Sequence, residues 1–267
     1  MLTSISDKEF GQFQRFIFQS AGITLSAAKK ALVCGRLSKR LQQRQMKSYS
    51  EYFRLLSSGE DAREVQMAID LLTTNETYFF REPKHFDALR QHALASRAGN
   101  RNFRIWSAAS SSGEEAYSMA MVLADCLPED SWEVHASDVS MRVLEQARTG
   151  LYPSTRTTHI PREYLRRYCL KGNGQHEGMV LVDRKLRSRV QFMQVNLNET
   201  LPKLGLFDMI FLRNVMIYFN QDTKRQVVER ILSTLKPGGI FIIGHSESLH
   251  DISSAVQQVS PSIYRKP

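Results

Sequence analysis

The run Phe103–Ala116, FRIWSAASSSGEEA, decides the fold. Four residues with strand character, Phe103 to Trp106, enter a turn of Ser, Ala and Gly, and Glu114 and Glu115 then open a helical pattern. A strand, a small-residue turn and a helix start form the unit at which doubly wound α/β domains hold nucleotide-like ligands. Small residues let the backbone approach a ligand closely, and the helix start offers N–H groups with no intrahelical partner. Two carboxylates suit the helix dipole there, but they repel a pyrophosphate. The turn therefore argues against a dinucleotide or a triphosphate. A cationic adenosine compound fits better, which points to S-adenosylmethionine (SAM).

Working outward, Trp132 to Ser137 (WEVHAS) reads as the next strand and ends at Asp138. This acid follows the turn at close to the spacing, about 20 residues, at which an acid binds ribose hydroxyls. A plain helix cap is the alternative role for such an Asp. Val190–Val195 resumes the sheet and runs into Asn196 and Leu197. Phe207–Leu212 (FDMIFL) is nearly all apolar, as in a strand buried on both faces, and delivers Arg213 and Asn214 to the carboxyl edge of the sheet. VMIYF with Tyr218, a helix from Asp222 to Leu235, a Lys236–Gly239 turn, the strand IFIIG and a last strand over Ser262–Arg265 complete about seven strands. Residues 152–189 break the βα alternation and read as an inserted small antiparallel β subdomain. Such an edge accepts a peptide strand, or serves as a structural flap.

The first eighty residues carry helical patterns and no strand signal. Ser6 with Glu9 makes a capping box, and Gly22 ends that helix. A helix over Ser26–Gln45 is strongly basic and contains no acid. Lys29, Arg36, Arg40 and Lys47 fall within about 40° on a helical wheel. The stripe is either a solvated face or a docking surface for an acidic partner, here an acidic protein helix. Nucleic acid is disfavoured because no aromatic residues for base stacking are interleaved with the charges. The expected organisation is a helical domain over residues 1–82 and an α/β domain over 83–267. Between them lies LLTTNETYFFREP (Leu71–Pro83), whose Asn75, Thr77 and Arg81 suit a ligand cleft; Arg81 can grip a carboxylate with two parallel hydrogen bonds.

The 267 residues leave ample core, and 36 Lys and Arg against 27 Asp and Glu give a net charge of +9, which favours an acidic partner. Cys34, Cys126 and Cys169 are widely spaced without a metal-ligand rhythm, so free thiols and no metal site are expected. With no long apolar run and no signal-peptide pattern, a cytoplasmic protein is expected, without membrane insertion.

Six motifs in register name a family. TTNETYFFRE, WSAASSSGEEAYS, ASDVS, KGNGQHEG, FLRNVMIYF and GHSE, in this order, resemble the CheR-type methyltransferases of bacterial chemotaxis. The resemblance spans nearly the whole chain. It implies transfer of methyl from SAM to glutamate side chains of chemoreceptors, with S-adenosylhomocysteine as product. It also implies cofactor contacts from Asn75, Thr77 and Arg81. Of the GEE acids, Glu115 is the first choice for the methionyl amino group and Glu114 the fallback. Asp138 is implied for the ribose, Asn196 and Leu197 for the adenine, and Arg213 and Asn214 for the rest of the pocket. Arg81 and Tyr218 are implied as the residues acting near the transferred methyl, the basic helix as the face toward the receptor helices, and the inserted β subdomain as a dock for a receptor C-terminal peptide. Ala116 and Ser112 depart from the Pro and Thr common in that family; both are small residues at a turn.

Overall fold

A computed structural model describes residues 4–97 and 102–267. Its first part is helical: α1 (Asp7–Ala21), α2 (Lys30–Gln43), α3 (Tyr49–Ser58) and α4 (Ala62–Leu72). The apolar stripe of α1, Phe10, Phe13, Phe16 and Ile17, packs with Val33, Leu37, Tyr52 and Leu72 into a core of its own. The Ser6–Glu9 capping box opens α1, and Gly22 closes it at φ 71° with its N–H on the Phe18 carbonyl. The basic helix is shorter than its pattern suggests. A 3₁₀ turn over Ala27–Lys29 precedes α2, so Lys29 lies before the α-helix and Lys47 beyond it.

The second part is built on α5 (Lys84–Ser96), β1 (Phe103–Ser107), α6 (Glu114–Cys126), β2 (Trp132–Asp138) and α7 (Met141–Thr149). The insertion holds β3 (Leu151–Pro153), α8 (Arg162–Tyr168), β4 (Cys169–Lys171), β5 (Met179–Val182) and α9 (Arg184–Arg187). The main sheet then continues with β6 (Val190–Gln194), β7 (Phe207–Leu212), α10 (Gln221–Ser233), β8 (Leu235–Ile243), β9 (Gln257–Ser260) and β10 (Ile263–Arg265). The seven-stranded sheet has the order β6-β2-β1-β7-β8-β10-β9, and the inserted three-stranded sheet the order β3-β5-β4. The five strands from β6 to β8 run parallel, whereas β10 is antiparallel to both its neighbours. The chain order reverses between β1 and β7, so the crevice beyond their carboxyl ends is where such a sheet takes a ligand.

Two local expectations are corrected. Lys236–Gly239 is not a turn before a strand; it belongs to β8 as a bulge, where pairing with β7 jumps from Phe207↔Leu235 to Met209↔Ile240. Gly238 at φ 74° takes the kink, which a residue without Cβ does at no steric cost. β9 escaped notice because its sequence, QQVS, is polar and mostly exposed and so carries no burial signal. The insertion, expected as a small antiparallel β subdomain, is a three-stranded antiparallel sheet.

Side chains and backbone tie the helical part to the sheet around the crevice. Asp70 of α4 is buried, and its carboxylate accepts the N–H groups of Met141 and Arg142 at 3.0 and 3.2 Å, capping α7 from outside. The Thr24 N–H donates to the Tyr218 carbonyl at 2.8 Å, beside an Ile23↔Phe219 bridge. Asn196 Nδ2 donates to the Ser20 carbonyl at 2.7 Å. These contacts roof the carboxyl ends of β1, β2 and β7 with the segment after α1. Among the described residues no helix is long and apolar enough to cross a membrane.

Candidate active site

A cavity of about 310 Å³ opens at the switch point. Its lining gathers Asn75, Thr77, Arg81, Glu115, Asp138, Asn196, Leu197, Arg213, Asn214 and Tyr218 from segments far apart in the chain. Glu114 is the one cofactor candidate that the cavity leaves out. Successive helical residues point about 100° apart, and Glu114 turns toward the inserted subdomain. There it is fully buried, takes a hydrogen bond from Ser112 Oγ and pairs with Arg156. Burial nevertheless pushes its carboxyl above the usual range.

The floor is a network of charges. Glu115 accepts a hydrogen bond from Ser107 Oγ at 2.7 Å and one from Arg213 Nη1 at 2.8 Å. The Arg213 guanidinium is almost wholly buried, pairs with Glu82 at 3.0 Å and donates to the Arg81 carbonyl. Phe86 and Phe211 lie beneath it, with their ring centroids 5.9 and 5.8 Å away. Asp138 accepts the Ser111 N–H at 2.9 Å and the Ser140 N–H at 3.0 Å. Its burial pushes the carboxyl up to about 6, against the downward pull of those N–H groups. Asn214 sits at φ 56°, held there by Glu247, whose carboxylate accepts the N–H groups of Asn214, Met216 and Gly244. Phe80, Glu82 and Ser111 also take positive φ, so strained backbone clusters at this site.

The mouth is looser. Arg81 is half-buried, donates to the Glu76 carbonyl at 3.2 Å and lies over the Tyr78 ring at 5.7 Å. Burial raises the pKa of the half-buried Tyr218 phenol, and Arg81 and Arg36 oppose that shift. Lys29 is exposed at the rim.

Of the basic stripe, two members are already engaged. Arg36 donates to the Thr73 carbonyl at 2.8 Å and to Leu71 at 3.2 Å, clamping the end of α4 where the TTNET segment begins. Arg40 pairs with Glu64, a buried acid of α4 that also accepts the Tyr52 hydroxyl at 2.7 Å. The apparent lack of compensating acid was a property of the α2 sequence, and α4 supplies the missing charge. Two residues that sequence reasoning missed shape the site, Glu82 and Glu247, which hold Arg213 and Asn214 in place, and Arg36, named from the sequence only for docking, also holds the hinge. For Glu82 and Glu247 the signal was present, since both stand inside quoted motifs.

The donor set suits SAM. Carboxylates at Glu115 and Asp138 match an ammonium and a ribose diol, and Val139, Val195, Leu197 and Phe219 offer apolar surface for a purine ring. Sheet order and donor set together define a SAM-dependent methyltransferase. Comparison with known proteins is more specific. Residues 75–264 match the family model for the CheR methyltransferase SAM-binding domain, and residues 8–73 match its all-alpha domain. The chain belongs to the CheR methyltransferase family. It is 40% identical over 266 residues to the chemotaxis protein methyltransferase of Escherichia coli (strain K12), covering 98% of this chain and 91% of that protein. Identity to the Klebsiella aerogenes protein of the same description is 42% over 254 residues, covering 93% and 86%. Chemotaxis protein methyltransferase 2 of Pseudomonas aeruginosa is 39% identical over 260 residues, covering 96% and 92%.

Proposed function

We propose that this enzyme esterifies glutamate side chains of bacterial chemoreceptors in the cytoplasm, with S-adenosylhomocysteine as the second product. The observation that carries this reading is the make-up of the cavity mouth. Arg81 and Tyr218 stand there, and among the described residues neither His nor Cys lines the cavity. A glutamate carboxylate, with a pKa of about 4.3, is already ionised at neutral pH and needs no general base. The Arg81 cation attracts such an anion, whereas it would repel an ammonium acceptor. When bound, SAM supplies an activated methyl group on a sulfonium centre.

The protein's part is then alignment. Asp138 takes the ribose hydroxyls, Asn196 and Leu197 border the adenine, and Glu115, oriented by Arg213, takes the methionyl ammonium. Asn75, Thr77 and Asn214 complete the pocket. Asn196 acts mainly through its position, since its amide is already bonded to Ser20 and Glu199. The Arg81 guanidinium receives the incoming carboxylate and Tyr218 steadies it through its hydroxyl. The division of the chain at residues 82 and 83 sets these two halves of the cleft.

For docking, exposed Lys29 and Lys47 remain free to meet an acidic receptor helix, whereas Arg36 and Arg40 act as braces. The edge of the inserted sheet at β4, with Leu170 half exposed, is the surface for a receptor C-terminal peptide. The test uses methyl-labelled SAM and an acidic receptor cytoplasmic fragment. Glutamyl methyl esters release volatile methanol in mild alkali. Label that stays on the protein as N-methyl groups would contradict the proposal.

A further inference from the structure

Behind the floor of the cavity, a second cluster converges on one point. Glu82, His85 and His245 each direct one ligand-type atom into a space where these atoms lie within 4.8 Å of one another. Glu82 and His85 come from the entry to α5, and His245 from the GHSE turn after β8. His85 is fully buried. Its Nε2 lies 2.8 Å from Ser262 Oγ, and that hydroxyl donates to the Pro261 carbonyl at 2.6 Å. With the Ser262 proton used there, His85 Nε2–H is the donor of the pair and Nδ1 carries the lone pair. Buried Nδ1 has no hydrogen-bond partner among the described residues, yet it stands 3.3 Å from Glu82 Oε2. Glu82 Oε2 already accepts Arg213 Nη2 at 3.0 Å and the His245 N–H at 3.2 Å, so the unsatisfied lone pair of the two is that of His85 Nδ1.

We propose that Glu82, His85 and His245 form a binding site for a divalent metal ion of the zinc class, coupled to the cofactor cavity through Arg213. With bonds of about 2.0–2.2 Å, neighbouring ligands of a tetrahedral ion stand roughly 3.3–3.6 Å apart, which is the spacing of His85 Nδ1 and Glu82 Oε2. The Ser262 contact fixes the His85 tautomer, as outer partners of metal-bound imidazoles do. The exposed His245 packs against the His85 ring at a centroid distance of 4.7 Å and closes the site from the solvent side. Two imidazoles and one carboxylate suit zinc, copper or nickel better than magnesium or calcium, and leave a position for water.

Glu82 is shared. Its Oε2 also accepts Arg213 Nη2 at 3.0 Å, so a dication there weakens the grip that orients Arg213 toward Glu115. By linkage, the metal and S-adenosylhomocysteine then weaken each other by the same factor. The sequence expectation of no metal rested on cysteine spacing, which does not bear on this set.

The experiment titrates the purified full chain with Zn²⁺ alone, with and without S-adenosylhomocysteine, and uses Co²⁺ as a spectroscopic probe. One equivalent of Zn²⁺ binds, and His245→Ala weakens it about 10- to 100-fold. Metal-free S-adenosylhomocysteine affinity stays unchanged in that variant, which also shows that it is folded. The Co²⁺ spectrum is that of nitrogen and oxygen ligands. Equal Zn²⁺ affinity in the variant, no Zn²⁺ binding, or a thiolate charge-transfer band from Cys34, Cys126 or Cys169 would overturn the site. An S-adenosylhomocysteine affinity indifferent to Zn²⁺ would overturn the coupling.

Discussion

At the floor of the cavity, Glu115, Asp138 and Arg213 are buried, and each is fastened by at least two partners from the protein. At the mouth, Arg81 and Tyr218 are half-buried, and among the described residues the Arg81 guanidinium donates to a single backbone carbonyl. Under the proposed function, the difference separates two tasks. Charges that must meet the same small molecule in every cycle are fixed in advance, at the cost of burying them. Charges that must meet a moving protein side chain stay where water and partner can reach them. Floor variants should therefore damage cofactor binding and stability, and mouth variants turnover.

The largest effect is expected from Arg213→Ala. It strands Glu115 and Glu82 without their buried cation, which costs about 3–5 kcal/mol of stability, read by denaturant unfolding, and removes measurable S-adenosylhomocysteine binding in calorimetry. Asp138→Asn comes next. With Asp138 on the ribose as proposed, replacing charge-assisted hydrogen bonds by neutral ones costs about 1.5–3 kcal/mol, or roughly 10- to 150-fold in affinity.

The same group sets a pH dependence. Its carboxyl titrates at about 6, so it is ionised above that pH and protonated below it. S-adenosylhomocysteine affinity in the wild type should be flat above this value and fall as pH drops through it, while Asp138→Asn stays flat. A wild-type profile without that fall would remove Asp138 from the ribose site.

Tyr218→Phe, a mouth variant, should lower turnover about tenfold through one lost hydrogen bond in the transition state, with affinity for S-adenosylhomocysteine unchanged. The smallest effect sharpens the contrast within the GEE pair. Glu114→Gln should leave S-adenosylhomocysteine affinity within about threefold of wild type, since Glu114 faces Arg156 and not the cavity. A large loss of affinity would show that the turn cannot hold Glu115 without its neighbour.

Much of the floor was legible because strand ends in a doubly wound sheet announce themselves: Arg213 directly follows the apolar run Met209–Leu212, and Asp138 and Asn196 each close a strand-patterned segment, WEVHAS and VQFMQV. The choice between Glu114 and Glu115 was not legible. Both are helix-start carboxylates, and only the placement of Arg156, from the inserted subdomain, decides which one turns away. The charge balance of the basic stripe was not legible for a related reason. Arg40 finds Glu64 in another helix, and a wheel drawn for one helix cannot show its neighbour's charges. Lys236–Gly239 reads as a turn on composition, yet pairing on both sides of the bulge keeps it within β8.

The most direct test of the floor-and-mouth division measures Arg81→Ala and Asp138→Asn side by side, with S-adenosylhomocysteine affinity and kcat at saturating SAM for each. Arg81→Ala should keep affinity within about threefold while kcat falls on the order of 100-fold, the loss typical of removing one charged transition-state contact. Asp138→Asn should show the reverse pattern. If both variants lose affinity and kcat together, floor and mouth are one unit, and the division proposed for this enzyme is wrong.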